Sequence, residues 1–376
     1  MRKWWIWLLV LLPLFVTTVS AKTLEEIYGE QLQSSGGVEL LAQLPSETRE
    51  LLDTLGITSF DPEVIATSDP NDVWETLFQL LKIAAKTPIG VCGTVLAVVL
   101  THAWVGGLGH GLGESGNDSL FSVVAVLAAC ASIVTPISAC IKSVAQATES
   151  LSVFMMSFVP VYAGILFTSG HTLSALSFQS IVLYAAQLLS LVSQTAIVPL
   201  MGISLALGVI GSVTPRVRLG QLGESIGKTA GWLLSLGMLL FSGLLSLQNL
   251  TGSAADTLGN RALRFSIASF VPVVGGSLSE AFSTVKSSLG VLRSTTGVFG
   301  IGACVAIVLP PLLSCGVWSL GLNFCRTCSD MFELQSLSTL LRTIQSVIKC
   351  LIGVLFAGAL FAIIAVTVVS TSAGGA

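Results

Sequence analysis

Charge is the scarcest property of this chain. Its 17 Lys and Arg and 20 Asp and Glu make up 10% of 376 residues, against roughly 25% in an ordinary soluble domain. With 53% hydrophobic residues and a mean hydropathy of +0.88, that shortage excludes a soluble enzyme. Histidine is almost missing as well: His102, His110 and His171 are the only three, and none has the spacing of a metal ligand or of a base beside a nucleophile. There is no Gly-x-Ser-x-Gly and no His-Glu-x-x-His, and Gly109-His110-Gly111-Leu112-Gly113 lacks the Lys-Ser/Thr of a phosphate loop. No catalytic, cofactor-binding or metal-binding set can be named, so a non-enzymatic protein without a cofactor is expected. Nucleic acid is not an expected partner.

Cysteine is absent before Cys92, so no disulfide framework holds the N-terminal region. Most of the eight cysteines lie in or beside apolar runs, where Cys behaves as a small apolar residue. Cys325-Arg326-Thr327-Cys328 is the one suggestive spacing, but a zinc site requires two further ligands.

The net charge of -3 conceals a strong asymmetry, because 12 of the 20 acidic residues lie between residues 25 and 75. Residues 1–21 read as a signal peptide: Arg2 and Lys3, an apolar run over residues 4–16, then Val19-Ser20-Ala21 as a small-residue cleavage site. An uncleaved anchor is the alternative, and both readings place Lys22 outside the cytoplasm. Residues 22–87 form an acidic extracytoplasmic region, with Leu24, Ile27, Leu40, Leu41, Leu44, Leu51, Leu52 and Leu55 at helical spacing. It is too poor in large apolar residues to bury a strong core alone and is expected to pack on the membrane domain or a partner.

Residues 88–376 read as a polytopic membrane domain with six strong apolar stretches near 89–109, 119–141, 178–212, 230–250, 297–323 and 350–370. A charge at mid-span costs about 2.5 to 3.5 kcal/mol on insertion scales, and these stretches carry almost none. Counting 152–169 and a division of 178–212 at Pro199 raises the number of helices to eight.

Two phrases recur in the same order at an offset of about 110 residues. Leu112-Gly113-Glu114-Ser115 and Phe158-Val159-Pro160-Val161 are followed by Leu222-Gly223-Glu224-Ser225 and Phe270-Val271-Pro272-Val273. Ile197-Val198-Pro199-Leu200 and Ile307-Val308-Leu309-Pro310-Pro311 extend the match. The domain therefore divides into repeat one (about 110–212), repeat two (about 220–325), then an amphipathic segment and a last transmembrane helix over 326–371. The second Phe-Val-Pro-Val phrase leads into Gly275, Gly276 and Glu280, a stretch too polar to span. Both copies are therefore expected to be re-entrant or interfacial, with helices broken at Pro160, Gly164, Pro272, Gly275 and Gly276; an ordinary proline-containing membrane helix is the alternative for the first copy.

With an exterior N-terminus and six crossings, the loops around Glu114 and Glu224 face the cytoplasm. Arg216, Arg218 and Lys228 in one such loop, and Arg326, Arg342 and Lys349 in another, agree with the positive-inside rule. Arg261, Arg264, Lys286 and Arg293 fall on the exterior side, on amphipathic segments suited to the headgroup layer. Glu114, Glu224 and Glu280 either cap helix ends or contribute to a polar pathway.

The run Ser212-Val213-Thr214-Pro215-Arg216, with Leu219, Gln221-Leu222, Glu224, Arg261 and Phe265, then Phe270-Val271-Pro272-Val273-Val274-Gly275 and Glu280, resembles the stage III sporulation protein AE family of endospore-forming bacteria. The resemblance is best from about residue 190 to the C-terminus. It does not include Cys325-Arg326-Thr327-Cys328 or the Gly-rich turn at 109–113. It implies a multi-pass protein of the mother-cell membrane facing the forespore, acting in a secretion-like channel complex. The partners it implies are other products of the same operon, including a secretion-type ATPase, and stage II sporulation protein Q across the intermembrane space. In that setting Arg216, Arg218 and Lys228 are candidate contacts for the ATPase. The repeat taken alone suits a different class, a stand-alone secondary transporter of a small solute.

Overall fold

The computed structural model describes residues 44, 46–54, 70–112, 118–168, 172–213, 221–223, 225–246 and 275–372. The signal peptide, Glu114, Arg216, Arg218, Glu224, Arg261, Arg264 and Pro272 lie outside the described residues. No strand occurs among those described. The helices are α1 (Ser46–Thr54), α2 (Pro70–Leu112), α3 (Asp118–Thr168), α4 (Thr172–Val192), α5 (Val198–Val213), α6 (Gln221–Ser246), α7 (Gly275–Met331) and α8 (Gln335–Ser372). Six segments are long and apolar enough to cross a membrane, with α4 and α5 counted together. Each contains or overlaps one of the six stretches read from hydropathy.

Paired contacts fix the direction of each helix. Along α7, Cys304 lies 3.9 Å from Met155 and Cys315 lies 3.1 Å from Cys140. Rising numbers in α7 thus meet falling numbers in α3, and the two helices are antiparallel. In α8, Gln345 meets Arg326 while Val366 meets Gly297, so α8 also opposes α7. Ser152 with Ala186 and Gln194 with Ala145 make α4 antiparallel to α3. Gly227 beside Ser346 and Phe241 beside Phe361 make α6 parallel to α8. Cys92 beside Gly321, and Trp104 sharing a pocket with Phe332, make α2 parallel to α7. The six apolar segments therefore alternate in direction, as six successive crossings require. Segments separated by the repeat offset, α3 with α6 and α4–α5 with α7, run the same way, so the repeats are parallel.

Burial divides the bundle into a centre and a rim. About half of the most apolar window is buried in α7 (50%) and α8 (56%), against 17% in α2 and α6. The rim helices expose Trp74, Phe78, Trp232 and Leu239, apolar side chains that suit a lipid solvent. The short helix α1 packs against α7 and α2. Leu44, Thr48, Leu51 and Leu52 share its buried face, and each leucine contributes at most about 1.5 to 3 kcal/mol by burial.

The prolines are accommodated differently from the expected breaks. Helix α3 runs through Pro136 and Pro160 as one element of 51 residues, about 77 Å long and more than twice the roughly 30 Å of a hydrocarbon core. Pro160 removes one backbone hydrogen bond, but its neighbours Phe158 and Val159 are fully buried and hold the helix on course. Likewise Gly275, Gly276 and Glu280 are backbone positions in the first turns of α7, continuous with its apolar part. Before Pro199 the described helix departs from α geometry: Ser193–Ile197 is a π-turn in which the Val198 N–H donates to Ser193 O. Pro199 has no N–H to offer Thr195, and the wider turn absorbs that missing bond.

The antiparallel pairing of α3 and α7 is directly testable. The Cys140 and Cys315 sulfurs are 3.1 Å apart, and a small shift brings them to the roughly 2.05 Å of a disulfide. Mild iodine oxidation of the membrane-embedded protein is expected to give a Cys140–Cys315 linked peptide by mass spectrometry. Loss of both free thiols without that linkage contradicts the helix register.

Candidate functional site

The end of α7, the start of α8 and the start of α6 meet around a cavity of about 560 Å³. Lys228 comes from α6, Arg326 from α7, and Arg342 and Lys349 from α8. Two basic segments more than 90 residues apart in sequence thus share one cavity, which places both at the same end of the bundle.

The local fold explains this convergence. Helices α7 and α8 form a hairpin whose turn carries Glu333 at φ 56°. The Leu334 N–H donates to Ser329 O at 3.0 Å and the Glu333 N–H to Asp330 O at 3.1 Å, which closes the helix end with a left-handed C′ residue. Ser338 Oγ donates to Asp330 Oδ1 and ties the two helices together. Arg342 and Lys349 are seven residues apart, two turns along one face of α8.

Arg326 is held from two sides. Its Nη1 donates to Gln345 Oε1 at 3.0 Å and its Nε to Asp330 Oδ2 at 3.4 Å. Gln345 is 4% exposed and its Nε2 donates to Asn323 Oδ1 at 3.2 Å. The Arg326–Asp330 pair is part-exposed and by itself worth about 0.3 to 0.5 kcal/mol; the buried amide does more to set the guanidinium's direction.

The α6 wall is made of glycine. Gly223, Gly227 and Gly231 recur every four residues along one helix face. A Cβ on Gly227 would lie 2.7 Å from Ser346 Oγ, and one on Gly223 3.0 Å from Thr343 Cγ2, so these two bring α6 onto α8. A Cβ on Gly231 would meet nothing within 4 Å, and this glycine leaves the mouth of the cavity open.

Of the candidate contacts Arg216, Arg218 and Lys228, Lys228 lies among the described residues and lines the cavity, together with Arg326, Arg342 and Lys349 of the second basic segment. Pro160 and Gly164 are exposed on α3, and a Cβ on Gly164 would touch nothing within 4 Å. The Cys325-x-x-Cys328 pair is divided, since Cys325 Sγ faces the Cys92 carbonyl at 3.5 Å. No group of His, Cys, Asp and Glu among the described residues is placed to hold a metal.

The stage III sporulation protein AE family model matches residues 65–373, most of the chain. The chain belongs to the stage III sporulation protein AE family. The family match takes in all six apolar helices and the whole basic cavity. Among curated proteins, the chain is similar to stage III sporulation protein AE of Bacillus subtilis (strain 168), at 25% identity over 168 residues. That alignment covers 45% of this chain and 42% of the relative, so it spans less than half of either. No solved structure matches. Membership of this family implies a role in sporulation for a multi-pass, all-helical membrane protein; it is not a family of enzymes by name.

Proposed function

We propose that the chain is a non-enzymatic membrane component of a secretion-like channel complex between mother cell and forespore, required for forespore development. The observation that carries this reading is the family match over residues 65–373, together with spans that hold very few charges for coupling to an ion gradient. The protein resides in the mother-cell membrane facing the forespore, with the mature N-terminus and α1 in the intermembrane space. There the acidic region meets stage II sporulation protein Q. Arg216, Arg218 and Lys228 lie on the cytoplasmic side as a contact for a secretion-type ATPase of the same operon.

Affinity purification of the intact protein from sporulating cells tests this. Recovery with the other stage III sporulation A-operon proteins is expected, and recovery alone overturns it. The parallel repeats also suit a secondary transporter, and solute uptake by vesicles containing this chain alone favours that class instead. Substituting Pro272 by Ala and Gly275 by Leu is expected to impair sporulation while the protein remains in the membrane. Normal spores remove that segment from the working machinery.

A further inference from the structure

We propose that the basic cavity is a binding site for a phosphate-bearing anion, and that its resident ligand is the headgroup of an anionic phospholipid. Lys228, Arg342 and Lys349 are exposed and Arg326 is half-buried, so the charges are open to a ligand from the surface. Here four of the eleven Lys and Arg residues beyond residue 88 line a single cavity from three helices. Its volume of about 560 Å³ lies within the roughly 300 to 1,000 Å³ of small-ligand sites. Arg326 is oriented by the buried Gln345, and Ser346 adds a hydroxyl to the lining. Arginine forks and lysine point charges together are the donor set that phosphate oxygens take.

The surroundings favour a lipid over a soluble anion. Gly231 keeps the mouth clear, and in the next two and a half turns of α6 Trp232, Leu233, Leu236, Leu239 and Leu240 are exposed. A headgroup in the cavity would leave its acyl chains against that apolar surface. Basic pockets between membrane helices hold anionic headgroups in this way.

The test uses the full-length protein purified in neutral detergent and native mass spectrometry of retained lipid. Phosphatidylglycerol and phosphatidylcholine with the same acyl chains are supplied in turn, and inorganic phosphate is added as a competitor. Wild type is expected to retain phosphatidylglycerol well above phosphatidylcholine. The R342Q/K349Q variant is expected to lose that preference by roughly ten-fold, R342K/K349R to restore it, and K142Q, which removes an exposed lysine elsewhere, to leave it intact. Displacement by millimolar phosphate with no lipid preference keeps the phosphate chemistry and overturns the lipid source. Equal retention of both lipids without phosphate competition overturns the site. If R342Q/K349Q keeps its lipid but loses a sporulation protein in co-purification, the cavity belongs to a protein partner. Because the lipid measurement needs no partner, it succeeds or fails independently of the channel reading.

Discussion

Gly300→Val is expected to destabilise the purified protein by about 3 kcal/mol and to remove most of it from the membrane. A Cβ at Gly300 would lie 2.6 Å from Phe158 Cε2 and closer still to Cζ. Overpacking of a filled interior costs typically about 1 to 3 kcal/mol, and the ring has little freedom to yield. Phe158 is fully buried between Phe154 and Tyr162, with ring centroids 5.5 and 5.4 Å apart along one face of α3. Tyr162 in turn meets Phe178 edge-on at 5.6 Å. Moving Phe158 therefore disturbs a ladder that also joins α3 to α4. The paired change Gly300→Ala with Phe158→Leu removes the colliding ring edge and is expected to recover much of the loss. Thermal unfolding in detergent and membrane accumulation measure both variants. If Gly300→Val matches wild type in both, α7 does not approach α3 as described.

This interior gives the first Phe-Val-Pro-Val phrase its physical meaning. In the sequence the proline drew attention, because it predicts a broken helix. In the fold the phenylalanine carries the packing, and Pro160 stands on the exposed side. The prediction of a break came from local backbone chemistry. Long-range packing of Phe158 against a glycine 142 residues away overrides it, and no local pattern reports such a contact.

The six long apolar helices were legible because lipid selects for long uncharged runs, and their alternating directions bring the two basic segments to one end of the bundle. The start of α2 was legible as well, from the acidic first turn at Asp72 and the helical spacing of Trp74, Leu77, Phe78 and Leu81; its unbroken run through Lys82 and Lys86 into the first apolar stretch was not, since those charges break the apolar signal. The cavity was half legible. Both basic segments were visible as positive-inside charges, but their meeting depends on the α7–α8 hairpin and on the approach of α6. The spacing Gly223-x-x-x-Gly227-x-x-x-Gly231 was present in the sequence as a signal for that approach. It lay beside Arg216, Arg218 and Lys228, and charge led the reading there.

Gly208→Leu is expected to separate α5 and α6 from α8 and to abolish sporulation, the second large effect. Thr343 of α8 is wedged between two glycines. A Cβ on Gly208 would stand 2.8 Å from Thr343 Cγ2, and one on Gly223 3.0 Å from the same methyl and 3.1 Å from the Ser204 carbonyl. Ser204 Oγ donates to Gly223 O at 2.8 Å, so a side chain at either glycine also strains the bond joining α5 to α6. Small residues let membrane helices approach this closely, where packing and interhelical hydrogen bonds replace the hydrophobic effect. The milder Gly208→Ala should cost about 1 to 2 kcal/mol through the Thr343 methyl. Thr343→Ser deletes that methyl while keeping the hydroxyl that donates to Thr339 O. The double variant Gly208→Ala with Thr343→Ser is therefore expected to be more stable than Gly208→Ala alone, a coupling of at least about 0.5 kcal/mol in a double-mutant cycle. Strict additivity means the methyl is not the obstacle and separates Gly208 from Thr343. Because Gly223 lies about one and a half turns before Lys228, the same loosening should reduce phosphatidylglycerol retention in Gly208→Leu, linking the glycine contact to the basic cavity it shapes.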